Sequence, residues 1–244
     1  LFNPGKGDCL SWQSPFSICF YTFVTQSKNR SRMNCRLCGS ETNKSFAAID
    51  GITLYKCDNC LLIFKAYDLE LEPDSEKNRY LQHNNSEEDQ AYLRHLNTAI
   101  QPTLPFLSSD MEGLDFGCGP NPVLAKVLTK SGYTCSFYDP FFFPDLPDER
   151  QDFVFATETF EHFSNPAKEL QLITALLRPH GTLTIMTNRW DENTDLGKWW
   201  YVRDPTHLVF YHKETFRFIS EKYDYSLEYD DGSKIVILRK LVCR

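Results

Sequence analysis

Apolar positions recur along the chain with two different periods. From Gly113 onward, short apolar runs predict strands at Gly113 to Phe116, Tyr133 to Tyr138, Phe153 to Thr157 and Thr182 to Thr187. Between them, apolar residues spaced three and four apart predict helices at Pro122 to Lys130 and Pro166 to Leu177. Strand and helix in alternation imply an α/β fold with a parallel sheet covered by helices. The tail differs: "DDGS" between Tyr225 to Tyr229 and Lys234 to Arg239 signals a hairpin, so one C-terminal strand should run antiparallel in a mostly parallel sheet. Upstream, Ser86 is expected to open a helix with Glu87, Glu88 and Asp89 in its first turn. Its Leu93, Leu96 and Ile100 share a face, and Pro102 should stop it.

The N-terminal third follows neither period. Met33 to Lys65 holds two Cys-x-x-Cys pairs flanking β-prone runs at Ile52 to Tyr55 and Leu61 to Phe64, and an acidic connector follows from Asp68 to Asn85. A unit this small needs a metal or disulfides to stay folded. Cys35 and Cys38, then Cys57 and Cys60 after eighteen intervening residues, supply four thiolates in the paired spacing of a zinc ribbon. An iron centre or a redox pair remains as an alternative. With four protein ligands no position stays open, so the metal would hold the fold rather than do chemistry.

Four segments result: a leader at 1–32, the four-cysteine zinc ribbon at 33–66, a connector and helix at 67–110, and the main domain at 111–244. The leader lacks a starting Met and a sustained period, and Met33 directly precedes the first cysteine pair. It is expected to be disordered or foreign to the native product, with an organelle-targeting leader as the competing reading.

Composition narrows the function classes. The formal net charge of −7 comes without any Lys/Arg block, which disfavours bulk nucleic acid as a partner and points to a small molecule. No window approaches the ~18 apolar residues that span a bilayer, so no membrane partner is expected. Nine cysteines, four of them in metal-type spacing, suit a reducing, cytoplasmic location. Nothing in the sequence sets an oligomeric state.

The candidate chemistry begins at "LDFGCGPNPVLAKVL". Asp115 ends a strand, Gly117 and Gly119 make a turn, and a proline suits the first helical turn that follows. A dinucleotide fingerprint would place glycine at 122, where Pro stands. Asp139 ends the second strand twenty residues after Gly119, where a carboxylate can accept ribose hydroxyls. The third strand, "DFVFATETFEHF", delivers Thr157, Glu158, Thr159, Glu161 and His162 to the carboxyl edge of the sheet.

These motifs resemble the class I S-adenosylmethionine-dependent methyltransferases. "LDFGCGPNP", "YDP", "FVFATETFEHFSNPAKEL" and "LLRPHGTLTIMT" look like that family's first, second, fourth-strand and fifth-strand motifs, in family order over about Leu81 to Lys240. With the ribbon, Met33 to Arg244 is similar to bacterial methyltransferases of the sugar C-methyltransferase-like type that carry an N-terminal zinc-binding segment. The resemblance implies a Rossmann-like methyltransferase fold preceded by a small zinc ribbon. It implies that Gly117 and Gly119 approach the methionine part of S-adenosylmethionine, Asp115 orients its ammonium and Asp139 holds its ribose. Cys118, Thr157 and Glu158 complete the implied cofactor contacts. Three departures stand out: Asn121 in place of a third glycine, His180 in place of a turn glycine, and only twelve residues between Asp139 and Asp152. Twelve residues are too few for the usual helix, strand and second helix of that region, so the third strand is expected to be shortened or absent.

The acceptor is expected beside "NRWDENTDLGKWWYVRDPTHLVFYHKETFRFI", whose "RDPTHLVFYHKETF" resembles the histidine-bearing segment of small-molecule methyltransferases. Trp199, Trp200, Tyr201, Arg203, His207 and Tyr211 could wall a pocket, with His207 as candidate base and Tyr211 and His162 as further catalytic candidates. Each has a structural alternative: tryptophans covering the sheet, Arg203 paired with Asp204, histidines in structural roles. Tyr80 could close over the cofactor, while His83, His95 and His212 are weaker candidates. The implied activity is methyl transfer to a small acceptor, a sugar or hydroxylated metabolite. The alternatives are an RNA or protein methyltransferase that uses the ribbon for recognition, or an inactive scaffold.

Overall fold

The computed structural model describes residues 33–42, 45–82 and 85–242; the leader at 1–32 and His83 lie outside the described residues. In chain order the elements are β1 (Met33–Asn34), β2 (Glu41–Thr42), β3 (Ser45–Ile49), β4 (Ile52–Lys56), β5 (Ile63–Lys65), α1 (Pro73–Tyr80), α2 (Gln90–Thr103) and β6 (Glu112–Phe116). There follow α3 (Val123–Lys130), β7 (Thr134–Tyr138), β8 (Gln151–Thr157), α4 (Pro166–Leu176), β9 (Leu177–Met186), β10 (Val209–Phe210), α5 (Lys213–Lys222), β11 (Tyr225–Asp230) and β12 (Ile235–Lys240).

The main sheet has the order β11-β12-β9-β8-β6-β7. β6, β7, β8 and β9 run parallel, and β12 is antiparallel to both of its neighbours. This is the Rossmann-like methyltransferase arrangement expected above. β7 is the edge, since the segment that leads from it to β8 adds no further strand to the sheet.

Period-2 alternation sorts the core into two faces. Phe153, Phe155, Ile235 and Ile237 pack against α2 and α3 through Leu96, Ile100, Leu124 and Leu128. Val154, Ala156, Val236 and Leu238 face the other way, onto Leu170 and Ile173 of α4 and Phe216 and Ile219 of α5.

The ribbon is sewn into this body. β10, from the main domain, pairs with β5 in the order β10-β5-β4-β3, with Val209 opposite Phe64. Buried Arg36 donates to Glu70 Oε1 at 2.5 Å and to the Ser164 carbonyl at 2.9 Å, and Lys65 Nζ donates to the Asp204 carbonyl at 2.6 Å.

Some boundaries differ from the sequence reading. Asp89, not Ser86, caps α2, accepting from the Ala91 and Tyr92 amides at 2.8 and 3.2 Å. Ser86 instead accepts from the Glu88 amide in a separate turn. Pro102 sits inside the last turn of α2 without ending it, because only one hydrogen bond is forfeited so close to the terminus. The acidic connector contains α1, which its charged surface concealed.

Candidate active site

The turn after β6 is held from both sides. The amides of Gly117 and Cys118 donate to the Tyr138 carbonyl at 2.8 and 3.1 Å, and Gly119 N–H donates to Asp139 Oδ2 at 2.9 Å. Gly117 has φ +79°, and a Cβ there would stand 2.4 Å from Thr159 Cγ2. Gly119 has φ +66°, and the space above it is open for 4 Å. Backbone here can approach a ligand with no side chain in between.

Asp115 lies beneath the turn, 2 % exposed, with Oδ2 accepting from the Ala125 amide at 3.3 Å. Burial pushes its carboxyl up to about 7, and it pairs with no Lys, Arg or His among the described residues. A buried carboxylate without a counter-cation fits the ammonium of an amino-acid moiety. Asp139 Oδ1 accepts from the Phe141 and Phe142 amides at 2.9 and 3.2 Å. Burial raises its pKa while those amides lower it. Three backbone donors fix the carboxylate rigidly and leave about one accepting site for a ribose hydroxyl.

A cavity of about 710 Å³ opens on this turn. Asp115, Gly117, Cys118, Gly119, Asp139, Thr157 and Glu158 all line it. Glu158 sits at φ +50°, unusual for a side chain of its size, and its Oε1 lies 3.3 Å from His95 Nε2. Phe141, whose amide is tied to Asp139, also lines the cavity. The "FFF" run after "YDP" was its only sequence signal. Asn121 does not adopt the left-handed conformation: its amide donates to the Asn85 carbonyl at 2.9 Å, pinning the segment before α2 over the cavity.

At the far end, Glu161, His162 and His207 come together. His162 Nδ1 faces the Thr206 carbonyl at 3.1 Å and His207 Nδ1 faces the Tyr201 carbonyl at 2.9 Å. Each ring therefore carries its proton on Nδ1 and a lone pair on Nε2. Burial pushes His207 down to about 4, against the pull of Asp204, so the ring is neutral at pH 7 and weakened as a base. Tyr80, on α1, meets His162 edge-on at 5.3 Å and Phe141 at 5.8 Å, and its hydroxyl donates to Glu76 Oε1 at 2.6 Å. Glu76 and Arg79 of α1 also line the cavity, and an element read as a connector gave no hint of them.

Tyr211 takes no part in the cavity. It is fully buried, donates to the Phe160 carbonyl at 3.1 Å and stacks on Phe216, which makes it a core residue rather than a catalytic one. Of the six residues expected to wall the pocket only Trp200 and His207 line the cavity, joined from the same segment by Asp204, Pro205, Thr206 and Leu208. Trp199 and Tyr201 stack in the core, and Arg203 pairs with Asp50 at 2.8 Å rather than with Asp204, which takes Arg79 at 3.1 Å. His212 caps α5.

The four ribbon cysteines form one cluster, with ligand atoms within 4.8 Å of one another. Cys35 Sγ lies 3.5 Å from Cys60 Sγ, and Cys38 Sγ 3.4 Å from Cys57 Sγ. Those separations are far too long for disulfides and close to the roughly 3.8 Å edge of a tetrahedron with ~2.3 Å metal–sulfur bonds. The two knuckles match: Gly39 donates to the Cys35 carbonyl as Leu61 donates to that of Cys57, at φ +76° and +56°.

Comparison with known proteins bears on this site. No curated protein matches the chain. Among solved structures it resembles an S-adenosylmethionine-dependent methyltransferase from Archaeoglobus fulgidus, at 16% identity and TM-score 0.46, over 60% of this chain and 94% of that one. It also resembles an O-methyltransferase family protein from Burkholderia thailandensis, at 12% identity and TM-score 0.46, over 69% of this chain and 64% of that one. A family model described as a methyltransferase domain matches residues 86–229, which hold the glycine turn, Asp139 and the Glu161–His162–His207 end of the cavity. The chain belongs to this methyltransferase family and is an S-adenosylmethionine-dependent methyltransferase.

Proposed function

We propose that the enzyme methylates a small acceptor bearing a hydroxyl, a sugar or a comparable metabolite. The carrying observation is the continuity of one cavity from the Gly119–Asp139 turn to Glu161, His162 and His207. Bound S-adenosylmethionine supplies a methyl group already activated on a sulfonium. Gly117, Gly119 and Asp115 would hold its amino-acid end, and Asp139 and Phe141 its nucleoside end.

The remaining volume beyond Thr157 receives the acceptor, with its hydroxyl beside His162 and His207. Alignment of this kind can supply roughly 7 to 11 kcal/mol of the barrier. Carboxylates crowd the lining, with Glu76, Glu158, Glu161, Glu169 and Asp204 beside the cofactor residues. Such a wall repels a polyanion, which favours a neutral or cationic small molecule over RNA.

Cys35, Cys38, Cys57 and Cys60 would hold a structural zinc, consistent with their tetrahedral spacing. Unbonded thiols in this geometry fit the reducing cytoplasm. No helix among the described residues is long and apolar enough to cross a membrane.

Calorimetry with S-adenosylmethionine and S-adenosylhomocysteine on the zinc-loaded chain tests the reading. Near-stoichiometric binding, followed by turnover in a screen of hydroxylated acceptors, is the expected result. Binding without turnover on any small acceptor, but with turnover on protein or RNA, would replace the acceptor class.

A further inference from the structure

Glu161 is fully buried, and only one of its oxygens is partnered: Oε2 accepts from the Thr187 hydroxyl at 2.7 Å, while Oε1 has no hydrogen bond. The His162 ring stands beside it, with Nε2 4.0 Å from Oε1. An unpartnered carboxyl oxygen at this depth is costly unless a cation or a proton meets it.

Two imidazoles stand beside it. Both have Nδ1 committed to a backbone carbonyl, which sets the direction of each ring. That second hydrogen bond is the feature that fixes tautomer and ring direction in metal-ligating histidines. One donor atom from each of Glu161, His162 and His207 lies within 4.8 Å of the other two.

The framework is already assembled. Glu161 and His162 share one short turn, and the loop bearing His207 is tied to it, the Leu208 amide donating to the Glu161 carbonyl at 2.7 Å. With bonds of about 2.1 Å, neighbouring ligand atoms around a metal stand roughly 3.0 to 3.4 Å apart, so the trio needs to close by about an ångström.

We propose that Glu161, His162 and His207 bind one divalent transition-metal ion at the acceptor end of the cavity. Two imidazoles and one carboxylate leave positions open toward the cavity; the imidazoles favour Fe²⁺ or Zn²⁺ over Mg²⁺ or Ca²⁺, and the carboxylate with open positions also admits Mn²⁺. The assignment of those open positions to an acceptor oxygen rests on the function proposed above; the metal site itself does not.

Mn²⁺ alone is the probe, because it has little affinity for thiolates and leaves the ribbon's cysteines to zinc. The zinc-loaded full chain is titrated with Mn²⁺ while electron paramagnetic resonance measures the free ion, and S-adenosylhomocysteine binding is measured in parallel. One Mn²⁺ per chain is expected, weakened at least tenfold by Glu161→Gln and by His207→Gln. In the unaltered protein, Mn²⁺ should broaden the ring signals of His162 and His207 before those of the other histidines, a readout independent of whether the variants fold. A chain that binds S-adenosylhomocysteine but no Mn²⁺, or whose histidine signals broaden indiscriminately, overturns the metal site and leaves the cofactor reading intact. Mn²⁺ binding without S-adenosylhomocysteine binding would overturn the cofactor reading instead.

Discussion

Gly119 donates its amide proton to Asp139 Oδ2 at 2.9 Å, joining the turn after β6 to the end of β7. The carboxylate is thus a structural clamp as well as a candidate ribose ligand. Asp139→Ala should abolish S-adenosylhomocysteine binding in calorimetry. It should also cost about 2 kcal/mol or more in urea unfolding, because three amides lose their acceptor.

Gly117→Ala should be damaging for two separate reasons. The backbone sits at φ +79°, and the new methyl would stand 2.4 Å from Thr159 Cγ2. A loss of roughly 2 kcal/mol or more is expected. An unchanged urea midpoint would contradict the close approach described.

Asp115 makes cofactor affinity depend on pH. Its folded value of about 7 lies above the ordinary aspartate value of ~3.9, so the folded state holds the proton more tightly. Its contribution to stability therefore declines as pH rises from about 4 to about 7 and is level beyond. Asp115→Asn should raise the thermal midpoint of the free protein at pH 8 relative to wild type, and the gain should vanish near pH 4. Binding an ammonium needs the carboxylate, so wild-type affinity should fall as pH drops below 7, and binding near pH 7 should release a proton. Calorimetry in buffers of different ionisation enthalpy measures that release.

His180 occupies φ +63° in the exposed, irregular start of β9, where its carbonyl accepts from Arg239. Left-handed backbone costs a side-chain-bearing residue roughly 1 to 2 kcal/mol, part of which glycine returns as unfolded-state entropy. His180→Gly should stabilise the protein by up to about 1 kcal/mol in urea, with cofactor binding unchanged.

Removing metal from the ribbon should reach the active site. Phe64 of β5 holds Val209 of β10, two residues beyond His207. A chelator strong enough to strip zinc should make the segment around 199–210 sensitive to protease and lower S-adenosylhomocysteine affinity, and both should recover when zinc is restored.

The central sheet was legible because each strand carries a simple alternation, as in Phe153, Val154, Phe155 and Ala156, whose faces separate cleanly in the core. The turn glycines, Asp139 and the cysteine pairs were legible because their chemistry depends on local spacing. α1 was hidden because "PDSEKNRY" offers no apolar stripe, and what it brings to the cavity is set by tertiary packing. Tyr211 and His207 looked alike in sequence, four residues apart in one segment. Only the fold turns one ring into the core and the other into the cavity. The meeting of Glu161 with His207, forty-six positions away, has no sequence signature.

The pairing of β5 with β10 has a bearing on engineering. A chain cut after residue 66 would not be a smaller enzyme; the cut runs through a β-sheet and bares the edge of Val209 and Phe210. The N-terminal cysteines therefore belong to the same folding unit as the segment that carries His207.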